Sequence, residues 1–304
     1  MPKLDKYRGI IPALYAAYED NGDVSPERVR KLARYFADKG VKGLYVGGSS
    51  GENIYQNLEE RKLVLETVVD EVGEELTIIA HIASPATRDS VELAKHASSL
   101  EGVDALSAVP PYYFGLPDNA IGDYWTAMIE VSDLDFFIYN IPQTTNYSLS
   151  KELYKEMLNL PQVKGIKNSS MPVEDIYNWR NLKEEDTIVF NGPDEQFIAG
   201  RIMGADGGIG GTYGAMPELF LAADKEFKAR ELELAREIQY DINRVINRLT
   251  SGEGHMYGVI KAILEKKGLE LGGVRSPLPQ VTENDQTLID ETAELIDRLI
   301  EKYA

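Results

Sequence analysis

The residue with the most chemical potential in this sequence is a lysine inside an apolar strand. Lys167 lies in the run VKGIKN, and a side chain pointing from such a strand into a core loses water, which disfavours its ammonium form. A neutral amine there can attack a carbonyl and form a Schiff base. A lysine paired with a carboxylate, or one snorkelling at a strand end, is the commoner use of the residue and stays open at this point. Lys164, three residues earlier, has the opposite strand parity and is expected to face outward. Tyr139 ends a second run, FFIYNIP, where it can relay a proton or simply fill a core. The stretch Gly47-Gly48-Ser49-Ser50-Gly51 offers two hydroxyls and several backbone N–H groups, an uncharged cradle for a carboxylate or an ordinary turn. The run GGIGGTYG from Gly207 suits either a phosphate or a strand that another group must approach closely. It is not a dinucleotide motif, because Tyr213 stands where the third glycine after Gly208 and Gly210 would fall.

Other chemistries are poorly provided for. The 304 residues include no cysteine, so disulfides, thiolate nucleophiles and thiolate metal sites are out. His81, His96 and His255 are far apart and lack metal-ligand spacing; no metal and no cofactor are expected. A formal charge of −18 counts against nucleic acid and anionic membrane surfaces as partners. The longest run without a charged residue, Phe136–Ser150, is too short and polar to span a bilayer. The apolar run after Gly9 contains Pro12 and follows Asp5, a poor match to a signal peptide. A cytoplasmic protein is expected.

These residues must be held by elements, and the elements repeat. Short apolar runs begin near Gly9, Gly43, Thr77, Ala105, Phe136, Val163, Thr187 and Gly207, with the continuous apolar character of parallel strands buried on both faces. Their spacing, about 28 residues, is that of a (β/α)₈ TIM barrel, and no glycine-rich phosphate turn follows the first run as a doubly wound sheet would require. Helix starts are written between them: Ser25-Pro26-Glu27 as cap and first turn, with Val29, Leu32, Ala33 and Phe36 as its stripe. Asn57 with Glu60 forms a capping box ahead of Val64, Leu65, Val68 and Val72. Thr87, Ser150 and Pro193-Asp194 mark three further starts. The expected division is a catalytic barrel over 1–220 and a helical extension over 221–304, packed on the barrel or used for assembly, with Ile238, Ile242, Val245, Ile246 and Leu249 as one apolar stripe. In a barrel of this kind the site forms at the C-terminal strand ends, where the polar residues above converge.

Taken together, GGSSGE after the second strand, YNIP after the fifth, GIKNSS on the sixth and NGPDE after the seventh resemble the N-acetylneuraminate lyase / dihydrodipicolinate synthase family, over roughly residues 5 to 225. The resemblance implies a pyruvate-dependent class I aldolase or lyase. It gives Lys167 the Schiff base and Tyr139 the proton relay. It also gives Ser49 a hydrogen bond to that tyrosine, and Ser49 and Ser50 the pyruvate carboxylate. Tyr113 would come from a neighbouring copy, so a homo-oligomer, dimer or tetramer, is implied. Gly192, Asp194 and Glu195 match the segment that binds a hydroxylated tail in sialic acid lyases, and Ser169 stands for a threonine. Two positions depart: Gly211 replaces a serine that would touch the tail, and Pro193 fills the variable position. Gln143-Thr144-Thr145 offers none of the arginine that dihydrodipicolinate synthases carry after YNIP.

The small-molecule partners implied are a 2-oxo acid such as pyruvate and an aldehyde sugar. Three readings stand: a lyase of N-acetylneuraminate or a related 2-oxo sugar acid; a 2-keto-3-deoxy-sugar-acid aldolase or dihydrodipicolinate synthase-like enzyme; and a catalytically silent barrel that binds a 2-oxo acid. The last has no use for Lys167 and Tyr139 together.

Overall fold

The computed structural model describes residues 4–182 and 186–304; residues 1–3 and 183–185 of the expected barrel lie outside them. All eight apolar runs are strands: β1 (Ile10–Pro12), β2 (Gly43–Val46), β3 (Thr77–His81), β4 (Ala105–Ala108), β5 (Asp135–Asn140), β6 (Val163–Asn168), β7 (Ile188–Asn191) and β8 (Gly207–Gly210). Every neighbouring pair is parallel, in the order β1-β8-β7-β6-β5-β4-β3-β2. The ring closes where Ala13 lies opposite Tyr45 and the Leu14 amide donates to the Tyr45 carbonyl at 2.9 Å. This is the TIM barrel.

Register decides what meets at the mouth. Tyr139 is directly opposite Lys167, and Asn140 opposite Asn168. A one-residue shift at Phe136/Phe137 sets that pairing; Gly165 sits there at φ 153°, where an added Cβ would lie 1.8 Å from the Ile188 carbonyl oxygen. One layer below, Phe137 packs edge-on against Tyr7 and Phe190 and floors the site.

The helix signals behave as physical chemistry requires. Ser25 Oγ accepts from the Arg28 amide ahead of the helix Pro26–Asp38, and Val29, Leu32, Ala33 and Phe36 are its buried face. Asn57 and Glu60 make both halves of a capping box ahead of Leu58–Val72, and Ser150 caps Lys151–Met157. Thr87 is itself the first residue of Thr87–Ser98, whose cap position is Ala86. Asp194 opens a short 3-10 turn that runs into Phe197–Ile202.

After β8 come four helices, Pro217–Lys228, Leu232–Leu249, Met256–Glu265 and Gln286–Tyr303. The first packs on β1 as the last barrel helix, so the expected boundary at 220 falls inside it. Of the apolar stripe on Leu232–Leu249, Ile246 is partly buried and the rest are buried. Among the described residues no helix is long and apolar enough to cross a membrane.

Candidate active site

Lys167 rises from β6 into the mouth of the barrel and is 5 % exposed. Among the described residues no carboxylate pairs with its amine; the Nζ lies instead over the rings of Tyr139 and Tyr45, 3.7 and 4.5 Å from their centroids. Burial pulls its pKa down to about 7, against a weaker upward pull from Asp194. A large fraction of the amine is therefore neutral near pH 7, with its lone pair free. Lys164 faces away from the mouth and reaches Asp135 at 3.8 Å. The alternating parity separates the two lysines as expected.

Tyr139 is buried, and burial pushes its phenol up to about 12, while hydrogen bonds with Ser169 and Ser49 work the other way. It enters the site as a neutral O–H between two hydroxyls, the arrangement a relay needs. These residues line a cavity of about 250 Å³ together with Ser50, Gly192, Gly211 and Tyr257. It shares Ser49, Thr144 and Tyr257 with a neighbouring cavity of about 370 Å³ that extends to His81, Tyr112 and His255.

The serine loop after β2 is bracketed by two left-handed residues, Gly47 at φ 77° and Glu52 at φ 53°. Between them Ser49–Gly51 forms a single 3-10 turn, whose first amides lack internal acceptors. His81 fixes the entry: its Nδ1–H donates to the Gly47 carbonyl at 2.9 Å. Burial, helped by the charge of Arg61, lowers this imidazole to about 3, so it stays neutral. Glu52 fixes the exit. Its buried carboxylate accepts from Lys261 Nζ at 2.7 Å and from the Arg275 amide at 2.8 Å.

Asp194 is buried at the far wall. Its Oδ2 accepts from the amide and hydroxyl of Thr212, at 2.6 and 2.5 Å. Burial nevertheless raises its pKa to about 6, with Thr212 and Lys167 opposing. The glycines of β8 each face a close neighbour: a Cβ on Gly210 would stand 1.8 Å from Asp194 Oδ1, one on Gly208 2.0 Å from Tyr213 Oη, and one on Gly207 2.1 Å from the Gly9 carbonyl oxygen. Gly192 answers to the same constraint, with Ser169 Oγ 1.9 Å from where its Cβ would be. Glu195 has an exposed side chain, and its carbonyl accepts from Asn243 at 3.1 Å. Gly211 has a local reason too. A side chain there would meet Ser50 Oγ at 2.9 Å and Tyr257 Oη at 3.1 Å, so the space of the absent serine is already taken.

Besides Glu195, whose side chain lines neither cavity, Tyr113 is an expected site residue that the chain does not bring to Lys167. It is 88 % exposed at φ 91°, its ring edge-on to the exposed Phe114 at 5.0 Å.

Sequence reasoning missed Tyr45, Tyr257, Thr212 and the grip of the extension. Ser50 donates to Tyr257 at 3.0 Å while Lys261 holds Glu52. Gln239 donates to the Asp194 carbonyl at 3.1 Å while Asn243 holds Glu195. In each helix the two residues are four apart and so share a face. Polar residues at that spacing on otherwise apolar helix faces were the available signal.

The comparisons with known proteins agree with this geometry. Residues 6–296 match the family described as the dihydrodipicolinate synthetase family. The chain is 52 % identical over 298 residues to the N-acetylneuraminate lyase of Mediterraneibacter gnavus, covering 97 % of this chain and 94 % of that protein. It is 35 % identical to N-acetylneuraminate lyase 2 of Escherichia coli O6:H1, covering 98 % and 96 %. It superimposes on a solved structure of Ruminococcus gnavus sialic acid aldolase, a catalytic lysine mutant, with a TM-score of 0.98 and 51 % identity over 100 % of both chains. On the sequence match and the shared fold, this chain belongs to the dihydrodipicolinate synthetase family.

Proposed function

We propose that this protein is a class I lyase that cleaves N-acetylneuraminate, or a closely related 2-oxo sugar acid, to pyruvate and an aldehyde sugar through a Schiff base on Lys167. The observation that carries the reading is an amine buried at the barrel mouth with no ion-pair partner among the described residues, opposite the tyrosine able to relay a proton. The relatives at 52 and 35 % identity support the substrate class.

In this reading the neutral Nζ attacks the C2 carbonyl, and the carbinolamine hydroxyl takes up a proton from solvent and leaves as water, giving a cationic iminium. The electron pair of the C3–C4 bond then flows into the iminium, giving an enamine. Tyr139 takes the proton of the C4 hydroxyl as it hands its own to Ser49 or Ser169, whose hydroxyl passes one on to solvent at the mouth, and the aldehyde leaves. Protonation at C3 and addition of water release pyruvate. Activation of the carbonyl by the imine asks for no added cofactor. Ser49 and Ser50, with the amides of their turn, hold the pyruvate carboxylate; Ser169, Gly192, Asp194, Glu195 and the Gly211 backbone face the hydroxylated tail. Tyr113, exposed on a strained backbone, serves the site of a second copy, which makes the working form a homo-oligomer, dimer or tetramer. The barrel through its last helix, Pro217–Lys228, acts as the catalytic unit and the helices after it as an extension that steadies its loops, in a cytoplasmic enzyme.

A panel of 2-oxo acids with pyruvate release as readout tests the assignment. N-acetylneuraminate is expected to be cleaved. Cleavage of a shorter 2-keto-3-deoxy acid in its place would overturn the substrate and leave the imine chemistry standing.

A further inference from the structure

Two aromatic rings form a corner around the lysine amine, and only one of them is used by the chemistry above. The faces of Tyr139 and Tyr45 lie 3.7 and 4.5 Å from Nζ, with the rings at 86° to each other and their centroids 5.9 Å apart. Tyr45 is fully buried on β2, and its hydroxyl donates to Ser107 Oγ on β4 at 3.0 Å. That bond engages the hydroxyl elsewhere, so what Tyr45 presents to the amine is the ring. His81 closes the back of the corner, 5.9 Å from the Tyr45 ring and 6.0 Å from Tyr139.

We propose that Tyr45 is a further catalytic residue, whose π face stabilises the positive charge of the iminium formed on Lys167, with Ser107 holding the ring in place. The inference rests on the Schiff-base reading. When Nζ bonds to C2 and water leaves, the nitrogen keeps one hydrogen and carries a full positive charge in a site with little water. The negative face of an aromatic ring attracts such a cation, and the attraction strengthens as water is removed. A carboxylate in the same place would hold the resting amine as ammonium through a strong ion pair. A ring face stabilises the cation less and accepts no strong hydrogen bond from the amine, so it serves both the neutral nucleophile and the charged intermediate. The ionisable groups facing the amine are Asp194, His81, Tyr139 and Tyr45 itself. Of these, Asp194 takes both its Thr212 bonds on one oxygen and His81 is neutral; the like charge that acts on His81 and Tyr45, Arg61, is bonded to the His81 and Ala83 carbonyls.

The test replaces Tyr45 with phenylalanine and then with mono-, di- and trifluorinated phenylalanine in the full-length protein, a series that keeps shape while draining charge from the ring face. The readouts are borohydride-trapped adduct with pyruvate, and kcat and KM for pyruvate release as a function of pH. A stepwise fall in adduct and in kcat/KM relative to phenylalanine is expected, about tenfold across the series, with the acid limb moving to lower pH. Tyr45→Leu should lose more. A flat series, with wild type still forming adduct, overturns the role of Tyr45 alone; wild type without adduct overturns the Schiff-base reading and this inference together.

Discussion

Two lysines of this chain are buried to nearly the same degree, Lys167 at 5 % and Lys261 at 2 % exposed, and they do opposite things. Lys261 stands at the seam between the helix Met256–Glu265 and the serine loop, bonded to Glu52 at 2.7 Å and to the Gly273 carbonyl at 2.8 Å. Burial lowers its pKa, and Glu52 restores part of the loss. Its proton is committed, and its work is to tie two segments of chain together. Lys167 has no such partner among the described residues and lies against ring faces. The difference teaches that burial alone does not make a nucleophile. Burial without a carboxylate in contact does, because only then is the neutral amine accessible near pH 7.

The comparison breaks first at Lys167. Lys167→Ala should abolish the pyruvate adduct and lower kcat/KM by about 10⁴-fold or more, measured by single-turnover trapping and steady-state kinetics. Tyr139→Phe should still form imine while turnover falls by about 10²–10⁴-fold. Unchanged turnover would remove the relay. At the seam the loss is of stability. Glu52→Leu strands a buried ammonium and should cost about 3–5 kcal/mol in chemical denaturation. The double variant Glu52→Leu/Lys261→Met should recover most of that, since an apolar pair carries no desolvation cost.

pH separates the two lysines more finely. The amine of Lys167 becomes neutral as pH rises through about 7, so the rate of imine formation should climb through that range and level off above it. Its folded pKa is depressed below its unfolded one, so the unfolded chain binds more protons from about pH 7 to the ordinary lysine range. Stability should therefore rise with pH across that window, and Lys167→Met should flatten the rise in denaturation curves taken at several pH values. The smallest effect belongs to the extension's second grip. Asn243→Ala removes the hydrogen bond to the Glu195 carbonyl and the one its Oδ1 accepts from Gln239, and about 1–3 kcal/mol of stability is expected to go with the two, with KM for the sugar acid moving more than kcat.

Much of this was legible in the sequence, for reasons that are local. All eight strands showed as apolar runs because parallel strands buried on both faces leave little room for polar residues. The caps at Ser25, Asn57 and Ser150 showed because unpaired helix amides need those side chains nearby. Lys167, Tyr139 and the serine loop showed because they interrupt apolar strands at the ends where a barrel puts its site. The remainder depends on contacts between residues distant in the chain. Tyr45 reads as a core aromatic until β6 brings Lys167 beneath its face. Glu52 and Lys261 are 209 positions apart, and each alone reads as a solvated charge. The glycines of β8 could have served a phosphate, and the positions of Asp194 Oδ1 and the Tyr213 ring, distant in the chain or across the strand end, are what explain Gly210.

The central contrast between the two lysines is tested most directly by reducing the protein with borohydride in the presence of pyruvate and mapping the adduct by peptide mass spectrometry. A single adduct on Lys167, with Lys164 and Lys261 unmodified, is the expected result. An adduct on either of those two lysines, or none at all, would contradict the assignment.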